Sequence, residues 1–398
     1  MRVAAMQVSR EVDIAIVGAG PAGLCFARAL AGSGLSVLLL EKQPLEALSE
    51  PAFDGREIAL THTSRRLLEA LDVWRRIDPA EISPLRDAKV LNGPSLFALD
   101  ITARDGRQAE LGWLVPNHLI RRAAFDAVAR QPELEVLAGV EVATIRQGTG
   151  GAEVGLSGGG AIRARLVVAA DSRFSATRRM MGIGAQMCDF GRSMMVCRVA
   201  HEQPHRHVAW EWFGYGQTLA LLPLNGDRAS VVLTLPPREM QRLEAMGDVA
   251  LAREFERRSD RRLGAMEVTG SRYVYPLVGV YADRFAGPRY ALLGDAAVGM
   301  HPVTAHGFNF GLLGQERLAR EVLRAHAAGA DIAAPSLLER YQRGHRLATR
   351  PLYLATRMIA GLYTDDRPAA RVVRGTALRV AQAVTPFRRI IAGHLTRA

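Results

Sequence analysis

Residues 12–42, VDIAIVGAGPAGLCFARALAGSGLSVLLLEK, decide the fold. The apolar run Val12–Val17 predicts a buried parallel strand, Pro21–Ala31 a helix, and Ser36–Leu40 a second buried strand ending at Glu41. Together they make one βαβ unit. At its first turn stands Gly18-Ala19-Gly20-Pro21-Ala22-Gly23, a G-x-G-x-x-G in which glycine lets the backbone turn tightly, approach a pyrophosphate and pack helix on strand. Glu41, with Lys42 beside it, ends the second strand and is placed to accept hydrogen bonds from ribose hydroxyls. The flanking strands and the acid favour a dinucleotide site over a glycine-rich structural turn. NAD and FAD share this fingerprint, so both stay open here.

Outward from this unit the chain repeats the pattern. IRARLVVAAD (162–171) and RYALLGDAA (289–297) are further apolar runs that lead to an acid, and Asn309–Ala328 has helical spacing closed by Gly329. Residues 186–284 differ, with alternating and aromatic stretches such as HVAWEWFGYGQTLALLPL (207–224) and a turn signal at Asn225-Gly226. The glycine-dense 148–160 reads as a hairpin or loop. The expected division is a dinucleotide-binding domain from 1–79, 109–185 and 285–340, an interleaved β-sheet substrate domain from 80–108 and 186–284, and a basic helical region at 341–398. The fold class is α/β.

A length of 398 residues supports two domains, and 48% hydrophobic with 23% charged residues excludes a disordered or fibrous chain. Cys25, Cys188 and Cys197 are too widely spaced for a C-x-x-C centre, which points to a reducing compartment and away from a bound metal. The first residues lack a long apolar core and no stretch reaches the roughly 18 apolar residues of a spanning helix, so a cytoplasmic protein, soluble or peripheral on the inner membrane face, is expected. Net charge is +11, yet residues 340–398 hold 12 Arg against two acids. The basic character belongs to the tail. Its arginines interleave with apolar residues in 351–363 and 372–391, which suits a solvated helix face, an anionic membrane or a partner protein; nucleic acid is not expected, because no recognition motif accompanies the charge.

The second chemistry-bearing stretch is GDAAVGMHPVTAHGFNF (294–310). A chain that strips its side chains before a helix lets its backbone touch something flat or anionic. Asp295, flanked by Gly294 and Ala296, is either a hydroxyl acceptor or a plain helix N-cap. Pro302 removes a backbone donor and biases His301 towards an extended conformation, while Gly307, Phe308 and Asn309 present N–H groups at the helix start. His301 and His306 are the general acid or base candidates, each equally readable as a hydrogen-bonded structural histidine, and His62 is a weaker one.

GAGPAG with Glu41, FDGREIAL (53–60), AADSRFSATRR (169–179) and GDAAVGMHPVTAHGFNFGL (294–312), in that order, resemble the flavin-dependent aromatic hydroxylases, specifically the ubiquinone-biosynthesis branch of UbiH, UbiF and UbiM type, and UbiM-type members most. The resemblance implies a Rossmann-like FAD-binding domain and makes the flat group a flavin ring, whose reduced anion the helix start would favour. It also implies roles for Arg56 along the phosphates and ribityl chain, Arg122 near the adenosine half with Arg121 as its rival, and Asp171 in the family's Asp-Gly position. Ser172 stands where that glycine is expected, which leaves the electron donor open between NAD(P)H and a separate reductase. Gly314 occupies a position often acidic in relatives. The implied activity is hydroxylation of a polyprenylated ubiquinone precursor, O2 being co-substrate and oxygen passing from a flavin C4a-hydroperoxide. C5 is one candidate carbon. The basic tail would meet the membrane or a biosynthetic complex. The rivals are a flavin-dependent reductase of prenyl double bonds and a non-catalytic FAD scaffold.

Overall fold

The computed structural model describes residues 8–93, 98–106, 108–148, 150–214, 216–301 and 306–364, so Pro302 and the tail from 365 onward lie outside the described residues. The βαβ unit forms as Val8–Val17, Pro21–Ala29 and Val37–Glu41. It sits at the centre of an eight-stranded sheet whose main path runs 286–287, 290–292, 161–169, 8–17, 37–41, 134–138. Parallel pairing of Val8–Val17 with both neighbours buries Ile14, Ala15 and Ile16 completely, as continuous apolar runs require. The glycine-dense segment forms turns around a strand, Ala152–Leu156, that pairs antiparallel on both sides. The later helix spans Gly307–Ala327 and ends before Gly329, which adopts φ +63.

The second sheet has nine strands, and its main path is 298–299, 273–282, 185–201, 228–235, 217–223, 208–214, 87–92, 98–102. Gly226 takes φ +68 in the turn between Gln217–Pro223 and Arg228–Leu235, at the expected Asn-Gly. Period-two alternation gives this sheet two different faces. Met195, Cys197, Leu219, Leu221, Val231 and Leu233 pack into a core with helices Pro237–Glu244 and Asp248–Arg258. Their neighbours at 194, 196, 218, 220, 222, 232 and 234 face a cavity.

The two halves interleave more finely than the expected segments. Val298–Gly299 pairs with Tyr273–Ala282 in the second sheet, and Ser83–Leu85 pairs with Gly112–Pro116 in a small third sheet. The buried carboxylate of Glu57 and the partly buried Arg198 join the halves through an ion pair of 2.7 Å. The basic region does not begin as a separate element at 341 either. A helix runs from Pro335 to Thr364, and Leu337, Leu338, Tyr341 and Tyr353 belong to the core of the first half. The Tyr341 hydroxyl donates to the Leu292 carbonyl (2.6 Å), and Gln342 Oε1 accepts from the Phe285 amide (2.7 Å). This helix also explains Gly314: a Cβ there would lie 2.9 Å from the His345 ring, so glycine is what lets the two helices meet.

Candidate active site

One cavity of about 530 Å³ lies between the first βαβ turn and the second sheet. Gly18, Gly20 and Ala22 line one end, Gly294, Asp295, His301, Gly307 and Phe308 the middle, and the inner face of the sheet the far wall. Gly18 needs φ +108, and a Cβ on it would sit 2.5 Å from the Ala170 carbonyl oxygen. Gly23 is the packing glycine, its missing Cβ directed at the Gly18 carbonyl. The Glu41 carboxylate accepts from the amides of Ala19 (2.7 Å) and Gln43 (2.9 Å), which fixes it at the cavity edge with lone pairs left for hydroxyl donors. Lys42 is exposed and does not line the cavity.

Two arginines reach the same region. Arg56 lines the cavity and is steered by Asp54, which accepts from its Nε (3.1 Å) and Nη2 (2.6 Å) and is itself held by Asn117 (2.7 Å). The other is Arg121. It lies one turn along the helix Asn117–Val128 from Asn117 and lines the cavity, whereas Arg122 is exposed, because one residue along a helix is a rotation of about 100°. Of the two rivals, Arg121 is thus the one that reaches the cavity.

The loops at 171–178 and 294–296 brace one another. Asp171 lines the cavity, but its carboxylate serves its own turn, accepting from the Ser175 hydroxyl and the Thr177 amide (3.1 Å). Buried Arg178 donates to the carbonyls of Ala296 (2.9 Å) and Arg173 (3.2 Å). Arg173 in turn pairs with Asp295 at 3.0 Å, so Asp295 is an oriented anion and not a helix N-cap. Gly294 has φ +56 and its Cβ would meet Ala22 at 3.0 Å. Ser172 holds φ +127, a conformation that favours glycine. Replacing Ser172 by Gly is expected to stabilise the holoprotein by about 1 kcal/mol, strain relief exceeding the added chain entropy. A thermal melt would read this as a rise of roughly 1–2 °C with unchanged flavin content.

The helix Gly307–Ala327 directs its start at the cavity through Gly307 and Phe308. Asn309 contributes differently, since its side chain accepts from the Thr61 amide (3.2 Å) and donates to the Ala59 carbonyl (2.9 Å), tying the helix to a neighbouring strand. The two histidine candidates separate. His301 lines the cavity with Phe190 against its ring at 4.7 Å, and burial pushes its pKa down to about 4, so it is neutral at physiological pH. His306 is buried at the helix N-cap with Phe310 beside it and does not line the cavity. His62 lies apart, bonded to the Glu110 carbonyl at 2.8 Å.

A family model described as FAD binding domain matches residues 11–352. The chain is 46% identical over 98% of its length to Ubiquinone hydroxylase UbiM of Neisseria meningitidis, spanning 85% of that protein. The chain belongs to the ubiquinone hydroxylase family of FAD-dependent monooxygenases. A second member of the family, Ubiquinone hydroxylase UbiL of Rhodospirillum rubrum, is 33% identical over 97% of this chain and 89% of that one. The solved structure of p-nitrophenol 4-monooxygenase PnpA from Pseudomonas putida superposes with a TM-score of 0.78 at 18% identity, covering 98% of this chain and 100% of that one, a likeness of fold. Membership in this ubiquinone hydroxylase family decides the dinucleotide left open by the fingerprint in favour of FAD. The residues present fit that group in kind: a glycine cradle, a carboxylate at the cavity edge, arginines that line the cavity and a helix start directed at it. Sequence names Arg121 only as the rival of Arg122, and it does not single out Arg173 or a wall residue, Glu211. Glu211 had a signal, an acid between Trp210 and Trp212 in an alternating stretch, but alternation alone does not say which face is the wall.

Proposed function

We propose that this chain hydroxylates the aromatic ring of a polyprenylated ubiquinone precursor, with C5 as the position to test first. The observation that carries the reading is a single cavity with a dinucleotide cradle at one end and an apolar sheet wall, Met194, Val196, Ala220, Leu222 and Val232, at the other. FAD, when bound, supplies reduced flavin that activates O2 for transfer to an electron-rich ring. Glu41 would hold the ribose, Arg56 and Arg121 the phosphates, and Asp295 the ribityl hydroxyls. The start of the Gly307–Ala327 helix favours negative charge on the flavin, and the apolar wall excludes water while packing an aromatic ring. His301, neutral and seated beside Phe190, adds a polar edge without adding charge.

The experiment is mass spectrometry of the quinone pool in cells with and without the gene under 18O2. Accumulation of an intermediate one hydroxyl short, with one 18O in the restored product, supports hydroxylation and names the carbon. A reductase would leave the ring oxygen count unchanged, and a scaffold would show no flavin turnover.

Access to a bilayer-dissolved substrate is proposed to run through the Pro335–Thr364 helix. No helix among the described residues is long and apolar enough to cross a membrane. On this helix Leu347 is 77% and Met358 74% exposed, on one stripe with exposed Leu354 and with Arg343, Arg350 and Arg357. A cationic, apolar stripe suits the surface of an anionic bilayer. Changing Leu347, Leu354 and Met358 together to Ser is expected to reduce sedimentation with anionic liposomes at least about fivefold, with bound FAD unchanged. Undiminished sedimentation would place the contact elsewhere.

A further inference from the structure

Among the described residues the far wall of the cavity contains a single ionisable side chain. Met194 and Val196 of the 185–201 strand, Thr218, Ala220 and Leu222 of the 217–223 strand, and Val232 and Thr234 of the 228–235 strand supply aliphatic groups, one thioether and two hydroxyls, none of them ionisable near neutral pH. Glu211, on Val208–Gly214, is the exception. Its lateral partners in the sheet are Ala220 on one side and Val90 on the other, neither able to hydrogen-bond through a side chain. Trp210 and Trp212 point to the opposite face, where Arg262 lies over both rings. Among the described residues Glu211 has no hydrogen-bond or ion-pair partner. The other charged groups of the cavity, Glu41, Arg56, Glu57, Arg121, Asp171, Arg173 and Asp295, all belong to segments outside this sheet. A carboxyl with no partner in an apolar wall has its hydrogen-bonding capacity directed at whatever fills the cavity.

We propose that Glu211 is the residue that receives the phenolic hydroxyl of the substrate and so sets which ring carbon faces the flavin, an inference that rests on the hydroxylase reading above. Burial pushes its pKa up to about 8, so near neutral pH the group is largely a carboxylic acid, which both donates and accepts and can grip a hydroxyl on its two lone-pair and hydrogen sites. A neutral acid also lets the wall stay apolar enough for a prenylated ring. The proposal assigns Glu211 an orienting contact and no bond-breaking step.

The test uses the oxidised holoenzyme, which binds without turning over, and measures by equilibrium dialysis the affinity for a 2-prenylphenol carrying one isoprene unit and for its O-methyl ether. The wild type is expected to favour the phenol at least about tenfold, the worth of a hydrogen bond that the ether leaves half unmade. Glu211→Leu should bring that preference close to unity without lowering ether affinity, and Glu211→Gln, which keeps a donor and an acceptor, should stay within about threefold of wild type. A preference that survives in Glu211→Leu, or is absent from the wild type, overturns the proposal. Flavin content of each variant reports folding independently of ligand. If the wild type discriminates the phenol but incorporates no 18O when supplied with reductant, the hydroxylase reading fails while the Glu211 contact stands. If it incorporates 18O and Glu211→Leu still discriminates, only the Glu211 contact fails.

Discussion

Gly23→Ala is expected to yield a protein without flavin, destabilised by at least about 3 kcal/mol, although glycine to alanine inside a helix ordinarily stabilises by close to 1 kcal/mol. The reason is local. A Cβ at Gly23 is aimed straight at the Gly18 carbonyl oxygen, with the Ala170 methyl 3.3 Å away. Neither neighbour is the far end of a flexible side chain, so the helix must lift from the strand, and the lift moves the amides of residues 18–20 off the cavity they line. Gly344 is the matched control. It too is inside a helix, Pro335–Thr364, and an added Cβ would meet nothing within 4 Å. Gly344→Ala should therefore stabilise, by roughly 0.5–1 kcal/mol. Chemical denaturation of both variants, with the flavin-to-protein absorbance ratio, checks the pair; equal stabilisation by both would show that the close approach is not obligatory.

Asp295→Ala is expected to weaken FAD binding by about 10- to 100-fold while leaving the fold intact. Asp295 is about one-third exposed, within a cavity wall and outside the core, so its loss opens no void. What it removes is a carboxylate acceptor held in place by Arg173, and what it leaves is the Arg173 cation without its partner. Asp295→Asn keeps an oxygen for both contacts and should fall between wild type and Ala. Titration of the apoprotein with FAD, followed by flavin fluorescence, gives the affinities, and circular dichroism checks the fold. Full affinity in Asp295→Ala would reassign the residue to bracing Arg173 alone.

The parts of the molecule that sequence made legible are those in which a single period dominates. Val12–Glu41 reads as βαβ because both strands are buried on both faces and the glycines stand at the one turn that needs them, and the structure forms these elements within two residues at the turn-side boundaries. The Asn225-Gly226 turn was legible for the same reason, since only a few residues tolerate φ +68. What sequence left unread depends on rotation or on distant partners. Arg121 and Arg122 have the same charge and adjacent positions, and only the rotation of the helix about its own axis separates them. Asp171 matches a cofactor motif, yet its carboxylate bonds are to Ser175 and Thr177, a local capping arrangement that the motif conceals. Arg173 became visible only when a loop some 120 residues later in the chain brought Asp295 to it. The helix from Pro335 looked like a free basic tail because its arginines are obvious, whereas the stripe of Tyr341, His345, Thr349 and Tyr353 that anchors it is spaced by fours among them.

The nine-stranded sheet divides two kinds of selection between alternate residues. Positions such as 196, 220 and 232 touch whatever occupies the cavity, while 197, 221 and 231 hold the layer of helices behind. A substitution at the first set changes the shape offered to a ring, and one at the second set disturbs the packing against the helices. Divergence to new aromatic compounds is thus open to this scaffold by single replacements that leave the contacts with those helices in place.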